Sequence, residues 1–257
     1  MSESTRLAPD RYLELIAADG GRLAAVADGH LEADVPTCPG WTVSDLVLHT
    51  GSVYHHKIAC MRLGRRPEES EFPHGPSDDQ DTMDWFRDAH RQLLAELGSR
   101  PPEASTYTWY PPEQDVAFWI RRMAHESVVH RVDAESASGQ VTAAADDLAV
   151  DGIDEVLDLF LSYALGQDPD EDVDAHQGRS LRVRTGSWAW QVSVGTDDPS
   201  NKIPLQRTSA PAQATVSGEP SELMLWLWGR RPDSAVTVHG DLSAVAAVRD
   251  LLARGTA

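Results

Sequence analysis

The chain has 257 residues, of which 41% are hydrophobic and 25% charged, so it is long enough for two modest domains with a substantial core. Its formal net charge of −19 argues against nucleic-acid binding, because phosphate recognition needs clustered Lys and Arg. No signal peptide is evident, and no stretch approaches the roughly 20 apolar residues of a membrane-spanning helix, so we expect a cytoplasmic protein without membrane contact.

Four segments in the first two-thirds of the chain have the apolar spacing of helices. The second begins after the sequence CPGW, where Thr42 is a natural N-cap and Asp45, three residues on, forms an Asp version of the capping box. The third begins at Ser77 or Asp78 and closes before Gly98. The four predicted helices cover residues 10–26, 42–61, 77–97 and 115–136.

A fifth helix is predicted over 146–166, and the acidic segment 167–178, which lacks periodicity, is predicted to be an interdomain linker. Beyond it, apolar and polar residues alternate as in half-buried strands. Strands are predicted at 181–185, 188–195, 214–218 and 235–240, and helices at 219–230 and 241–254. The fold class is therefore α+β multidomain, with a helical metal-binding domain (1–166), a linker (167–178) and a small C-terminal α/β domain (179–257).

The fourth helix places two polar residues on an apolar face. Trp119, Met123, Glu126 and His130 are separated by four, three and four residues, so they share one side of the helix. A buried carboxylate is costly unless a cation or a donor compensates it. A compensating group is therefore expected opposite Glu126 and His130.

The second helix offers a partner in His49, which shares its face with Leu46 and Val53 and is expected to point toward the core. Helical bundles build metal sites from Glu and His on facing helices. Two His and one Glu suit Zn²⁺, with Ni²⁺, Mn²⁺ or Fe²⁺ as alternatives, and three protein ligands leave a coordination position open, as in catalytic sites.

Other interpretations of these residues stay open at this point. A core His is more often satisfied by hydrogen bonds than by a metal, and a Glu and a His four residues apart often form a surface ion pair. The competing histidine ligands are His55, His56 and His125, although His125 points about 100° away from Glu126 on a helix. The nearby Arg121, Arg122 and Arg131, with Asp133, are most simply a solvated or paired helix face.

Two long segments resemble the mycothiol-dependent maleylpyruvate isomerase family, whose members are DinB-like four-helix-bundle metalloenzymes. They are VPTCPGWTVSDLVLHTGSVY (35–54) and FWIRRMAHESVVHRVDAE (118–135), and the resemblance continues in LWLWGRRPD (225–233) and VTVHGDLSAV (236–245). The resemblance implies that His49, Glu126 and His130 are metal ligands. It also implies a functional arginine from the C-terminal domain, for which Arg230 is the better match and Arg231 the adjacent candidate.

The same resemblance implies a chemistry. A divalent metal and mycothiol would be the cofactors, and the metal-activated thiolate would add to the substrate in an isomerase or S-transferase reaction. Arg230 would hold a carboxylate of a small anionic or electrophilic substrate. The alternatives are a non-catalytic metal-containing binding or regulatory protein, and a metal-dependent hydrolase.

Overall fold

The computed structural model describes residues 4–76, 81–168, 173–195 and 201–256. The chain divides into two units, each with its own internal packing. The helical unit comprises residues 7–142, and the mixed unit comprises residues 143–257 together with residues 1–6. None of the described helices is long and apolar enough to cross a membrane.

Within its described residues, the helical unit contains four α-helices: α1 (Pro9–Ala27), α2 (Val43–Leu63), α3 (Thr82–Gly98) and α4 (Val116–Ser138). Helix α1 packs mainly against α4, and α2 packs against both α3 and α4. Tyr54, Phe86 and Trp119 are among the largest fully buried side chains, and burying each contributes about 1.5–3 kcal/mol. The predicted four-helix bundle is confirmed.

The ends of α2 and α4 follow from local sequence. The Thr42 side chain accepts a hydrogen bond from the Asp45 backbone N–H, and the Asp45 carboxylate accepts one from the Thr42 backbone N–H, as the capping box requires. Asp115 caps α4 by accepting a hydrogen bond from the Phe118 N–H. The predicted start of α3 at Ser77 or Asp78 lies outside the described residues.

The mixed unit begins with α5 (Asp146–Glu155), which continues as a π-helical segment over Val156–Leu165. Helix α5 packs against α6 (Pro220–Leu227), and the π-helical segment packs against α7 (Leu242–Gly255). The domain boundary predicted at residue 166 therefore differs from the division between Thr142 and Ala143. The physical reason is that the apolar side of α5 and of its π-helical continuation is buried within the C-terminal part.

The segment 167–178 consequently lies inside the mixed unit rather than between domains. Residues 169–172 of it lie outside the described part of the chain, and Val173 is buried. Acidic composition and missing periodicity resemble a linker in sequence, but here the segment joins two elements of one unit.

A mixed five-stranded sheet forms the rest of this unit, in the order β3-β2-β1-β4-β5. The strands β1 and β2 form an antiparallel hairpin, β4 pairs parallel with β1, and β5 pairs antiparallel with β4. Alternate residues of β1, Leu181 and Val183, are fully buried, as the period-two pattern predicts. The short β3 was not predicted from sequence. The bounds are β1 (Ser180–Thr185), β2 (Trp188–Ser193), β3 (Leu205–Gln206), β4 (Ala214–Ser217) and β5 (Thr237–Gly240).

Candidate metal centre

Helices α2 and α4 bring the three predicted ligands together in the helical unit. The Nε2 atom of His49 lies 3.7 Å from Oε1 of Glu126, and the Nε2 atom of His130 lies 3.2 Å from the same oxygen. The two imidazole rings are 5.1 Å apart and nearly perpendicular. In the described part of the chain, this is the one group of at least three His, Cys, Asp or Glu side chains close enough to share a metal ion.

The dimensions of this cluster fit a divalent cation. One ligand atom from each of the three residues lies within 4.8 Å of the others. Tetrahedral bonds of about 2.0–2.1 Å place neighbouring ligand atoms about 3.3 Å apart, so small side-chain rotations bring these three into coordination range. Two imidazole nitrogens and one carboxylate oxygen form a donor set that Zn²⁺ accepts.

The exposure of the cluster differs from the prediction at one residue. Glu126 and His130 have side chains only 12% and 11% exposed, whereas His49 is 41% exposed. The expectation that His49 points toward the core was therefore wrong in degree: the ring lies at the rim, against the Trp41 indole at 5.0 Å. A rim position gives small molecules access to the cluster, which a fully buried site would not.

A buried carboxylate behind His130 was missed by sequence reasoning. Asp133 is fully buried, and its Oδ2 lies 3.0 Å from Nδ1 of His130. Its other oxygen accepts a 2.7 Å hydrogen bond from the hydroxyl of Thr37, in the segment before α2. Carboxylates placed in this way orient a metal-binding histidine and raise its basicity. The signal available in the sequence was the spacing of three residues from His130.

The electrostatics keep Glu126 ionised. Burial opposes ionisation, but the charges of His130 and of Arg122, whose guanidinium donates to Glu126, outweigh it and hold the pKa of Glu126 well below its usual value. Burial likewise opposes protonation of His130, but Glu126 and Asp133 outweigh it and raise the pKa of His130 to about 9. An imidazolium at His130 donates to a carboxylate from each nitrogen, so a metal must displace the Nε2 proton.

The competing histidines lie outside the cluster. His55 packs against Trp85 and His125 against Tyr12. His56 packs against Phe72. The three residues predicted from their spacing, His49, Glu126 and His130, are therefore the ones that the fold brings together.

The arginine-rich side of α4 is buried rather than solvated. Arg121, Arg122 and Arg131 are all buried, as is Asp133. Arg131 forms ion pairs with Asp19 and with Glu135. The sequence left open whether these arginines form ion pairs or lie in solvent. Arg131 is paired and buried, because α1 and α4 itself supply the carboxylates, and the solvated alternative was wrong.

Arg230 lies in the mixed unit, just after α6. Its Nη1 donates to the Trp228 carbonyl at 2.7 Å, and its guanidinium lies 6.0 Å from the Trp228 ring. The adjacent Arg231 forms a 2.9 Å ion pair with Glu222. The role predicted for Arg230 stays a prediction.

Comparisons with known proteins agree with this arrangement. The mycothiol maleylpyruvate isomerase N-terminal domain family matches residues 13–135, and the MDMPI C-terminal domain family matches residues 147–247. No curated protein sequence matches the chain.

Two solved structures share the fold. One is a crystal structure of the mycothiol-dependent maleylpyruvate isomerase, with a TM-score of 0.57 and 17% identity, and the match covers 94% of this chain and 98% of that one. The other is a histidine-to-alanine mutant described under the same protein name, with a TM-score of 0.58, 14% identity and the same coverage. The two family matches, which together cover most of the chain, show that this chain belongs to the mycothiol maleylpyruvate isomerase family, a family of mycothiol-dependent enzymes.

Proposed function

We propose that this chain is a metal-dependent enzyme of the maleylpyruvate isomerase type, in which His49, Glu126 and His130 hold one divalent cation, with Zn²⁺ the first candidate. The observation that carries the proposal is the convergence of these three side chains from two helices, with Glu126 ionised and close to both imidazoles. Three protein ligands leave a position for a thiol.

Bound there, a divalent cation and the thiol of mycothiol would together supply a nucleophilic thiolate, able to add reversibly to an activated cis double bond in an isomerase or to an electrophile in an S-transferase. The protein's own groups have separate tasks. Asp133 orients His130, and Arg122 keeps the Glu126 carboxylate directed and charged. The half-exposed His49 leaves one side of the cluster open to small molecules.

Arg230 is proposed to hold a carboxylate of the substrate. Its guanidinium is a planar donor suited to bidentate binding of a carboxylate. Of the two adjacent arginines, Arg230 is the better match in the family resemblance, and Arg231 forms an ion pair with Glu222.

The test is metal analysis of the purified protein followed by titration with mycothiol. Wild type is expected to contain about one equivalent of metal, and His130→Ala to lose most of it while staying folded. His30→Ala is the matched control, because His30 is exposed and its Nδ1 lies 3.0 Å from a backbone oxygen, that of Asp28. Full metal retention in His130→Ala would contradict the assignment.

The thiol titration separates the alternatives. Mycothiol binding that requires the metal supports the proposal. Metal without thiol affinity supports a binding or regulatory protein, or a hydrolase if ester or amide substrates turn over.

A further inference from the structure

We propose that Lys57 forms a subsite that receives a carboxylate of the substrate, on the same α2–α4 interface as the candidate metal centre. This inference rests on the function proposed above and adds a binding residue to it.

Lys57 is a partly buried ammonium group that forms no ion pair with a carboxylate of the described residues. Its Nζ donates to Nδ1 of His56 at 3.0 Å and lies 5.2 Å from the centre of the Trp119 ring. Across the described residues, no carboxylate lies within ion-pair distance of this Nζ. The chain has 41 acidic and 22 basic residues, so the lack of an ion pair at Lys57 among the described residues is not explained by a shortage of carboxylates. Burying a cation without a counter-ion is costly, and an anionic ligand would remove that cost.

The surrounding groups hold Lys57 in place without neutralising it. Trp119 is fully buried, and its indole N–H donates to the Tyr107 carbonyl at 2.8 Å, so the ring is a fixed surface for the ammonium. Burial, with the charges of Lys57 and Arg66, lowers the pKa of His56 to about 4. His56 is therefore a neutral acceptor near pH 7 and supplies no negative charge.

The summed charge of the metal centre and Lys57 also favours an anionic ligand. Glu126 and Asp133 carry two negative charges and Arg122 and Lys57 carry two positive charges, although only Arg122 forms an ion pair with one of these carboxylates. A divalent cation held by neutral imidazoles therefore adds positive charge that these groups do not neutralise. A thiolate neutralises one unit of it, which leaves one for a carboxylate. A single ammonium neutralises one charge, which matches a carboxylate better than a phosphate monoester, whose charge is about −1.5 to −2 at pH 7.

The position of Lys57 suits an elongated ligand. His49 lies beside Glu126, and Lys57 lies beside Trp119, which shows that α2 and α4 run in opposite directions at this interface. Lys57 follows His49 by eight residues, which corresponds to about 12 Å of helix rise. Arg122 lies between the two levels on α4. A substrate whose reactive carbon is at the metal centre would thus extend its carboxylate along the interface toward Lys57.

The experiment compares two ligands that differ by one carboxylate. Binding of trans,trans-muconate and of sorbate, its monocarboxylate analogue, is measured by calorimetry on the metal-loaded full chain. Wild type is expected to prefer muconate. On the metal-loaded chain without thiol, the open metal position is expected to bind one carboxylate of either ligand. Lys57→Met should therefore weaken muconate binding by about tenfold and leave sorbate binding unchanged, since a hydrogen bond to a charged group is worth about that factor. Lys57→Arg should restore part of the preference.

Lys202→Met is the matched control, because Lys202 is the other lysine of the chain and donates to the Asp168 carbonyl in the mixed unit. Equal affinity of wild type for the two ligands, or the same preference in wild type and Lys57→Met, would overturn the inference. If Lys57→Met fails to fold, Lys57→Gln replaces it in the same comparison.

Metal content, measured in every variant, separates this inference from the function it rests on. Loss of the muconate preference with metal retained supports the Lys57 subsite. A wild-type protein that holds no metal refutes the proposed function and, with it, this role of Lys57.

Discussion

Replacing Asp133 by Asn tests whether the metal centre depends on a residue that would not touch the metal. The carboxylate of Asp133 is fully buried and lies 3.0 Å from Nδ1 of His130. Asn has nearly the same shape, so it fits the same space. It removes the negative charge that supports His130 as a ligand, and its amide can present a donor where Nδ1–H needs an acceptor.

The expected loss follows from that geometry. Removing a carboxylate that orients a metal-binding histidine reduces metal affinity by about 10- to 100-fold, or about 1.4–2.7 kcal/mol. The amide oxygen of Asn can still accept a hydrogen bond from Nδ1–H, so we expect the lower end, about tenfold. Thr37 donates to the other oxygen of Asp133, and Thr37→Val should give a smaller loss because the charge remains.

Competition with a chromogenic chelator measures the affinity, and thermal unfolding of the metal-free proteins checks that Asp133→Asn is folded. Asp84→Asn is the control, because this carboxylate is 87% exposed and pairs with a surface arginine, Arg87. If Asp133→Asn and Asp84→Asn bind metal equally well, Asp133 has no positioning role.

Three further predictions concern proton release, the substrate and the helical packing. Because the pKa of His130 is raised to about 9, metal binding should release a proton, and the apparent metal affinity should fall about tenfold per pH unit as the pH drops below 9. The stability of the metal-free protein should fall as the pH rises, since the stabilising imidazolium of His130 is present below pH 6.5 and is lost as the pH rises through 9. Calorimetry from pH 6.5 to 9 measures the metal affinity, and thermal unfolding measures the stability. A metal affinity that does not depend on pH would contradict the reasoning. Arg230→Ala should raise KM for an anionic substrate by about tenfold with metal content unchanged, and an unaltered KM in steady-state assays would remove Arg230 from the site. Gly51→Ala should destabilise the helical unit by about 1–3 kcal/mol in urea unfolding, because the new Cβ would lie 2.3 Å from the Trp85 ring. Gly21→Ala, where the added Cβ meets nothing within 4 Å, should be neutral or stabilising, and equal effects of the two substitutions would refute the packing argument.

Local features of the fold were predictable because their physical causes lie within a few residues of one another. The capping box of Thr42 and Asp45 marks the start of α2, and Asp115 marks the start of α4, as found. In the sequence, Leu181 and Val183 alternate with arginines, which predicted β1. In the structure the two apolar side chains are buried and the arginines are exposed or partly exposed. The two-residue β3 carries no such pattern, and only pairing with β2 makes it a strand.

The division of the chain was predicted incorrectly because it depends on which surfaces meet. The acidic segment 167–178 has the composition of a linker, yet α5 packs against α6, more than 60 residues later in the chain. Composition near a boundary does not report such contacts. Similarly, the sequence could not distinguish the buried ion pairs of Arg131 from solvated ones, because one of its partners, Asp19, lies on a different helix.

The sequence by itself determined which side chains share a face of each helix, since the 3.6-residue period is a property of the local backbone. That was enough to place Glu126 and His130 side by side and to select His49 as their partner. Tertiary structure decided the rest: that His49 lies at the rim, that Asp133 and Thr37 support His130, and that no carboxylate of the described residues lies within ion-pair distance of Lys57. These features depend on distances between segments far apart in the chain, which are set only when the helices pack.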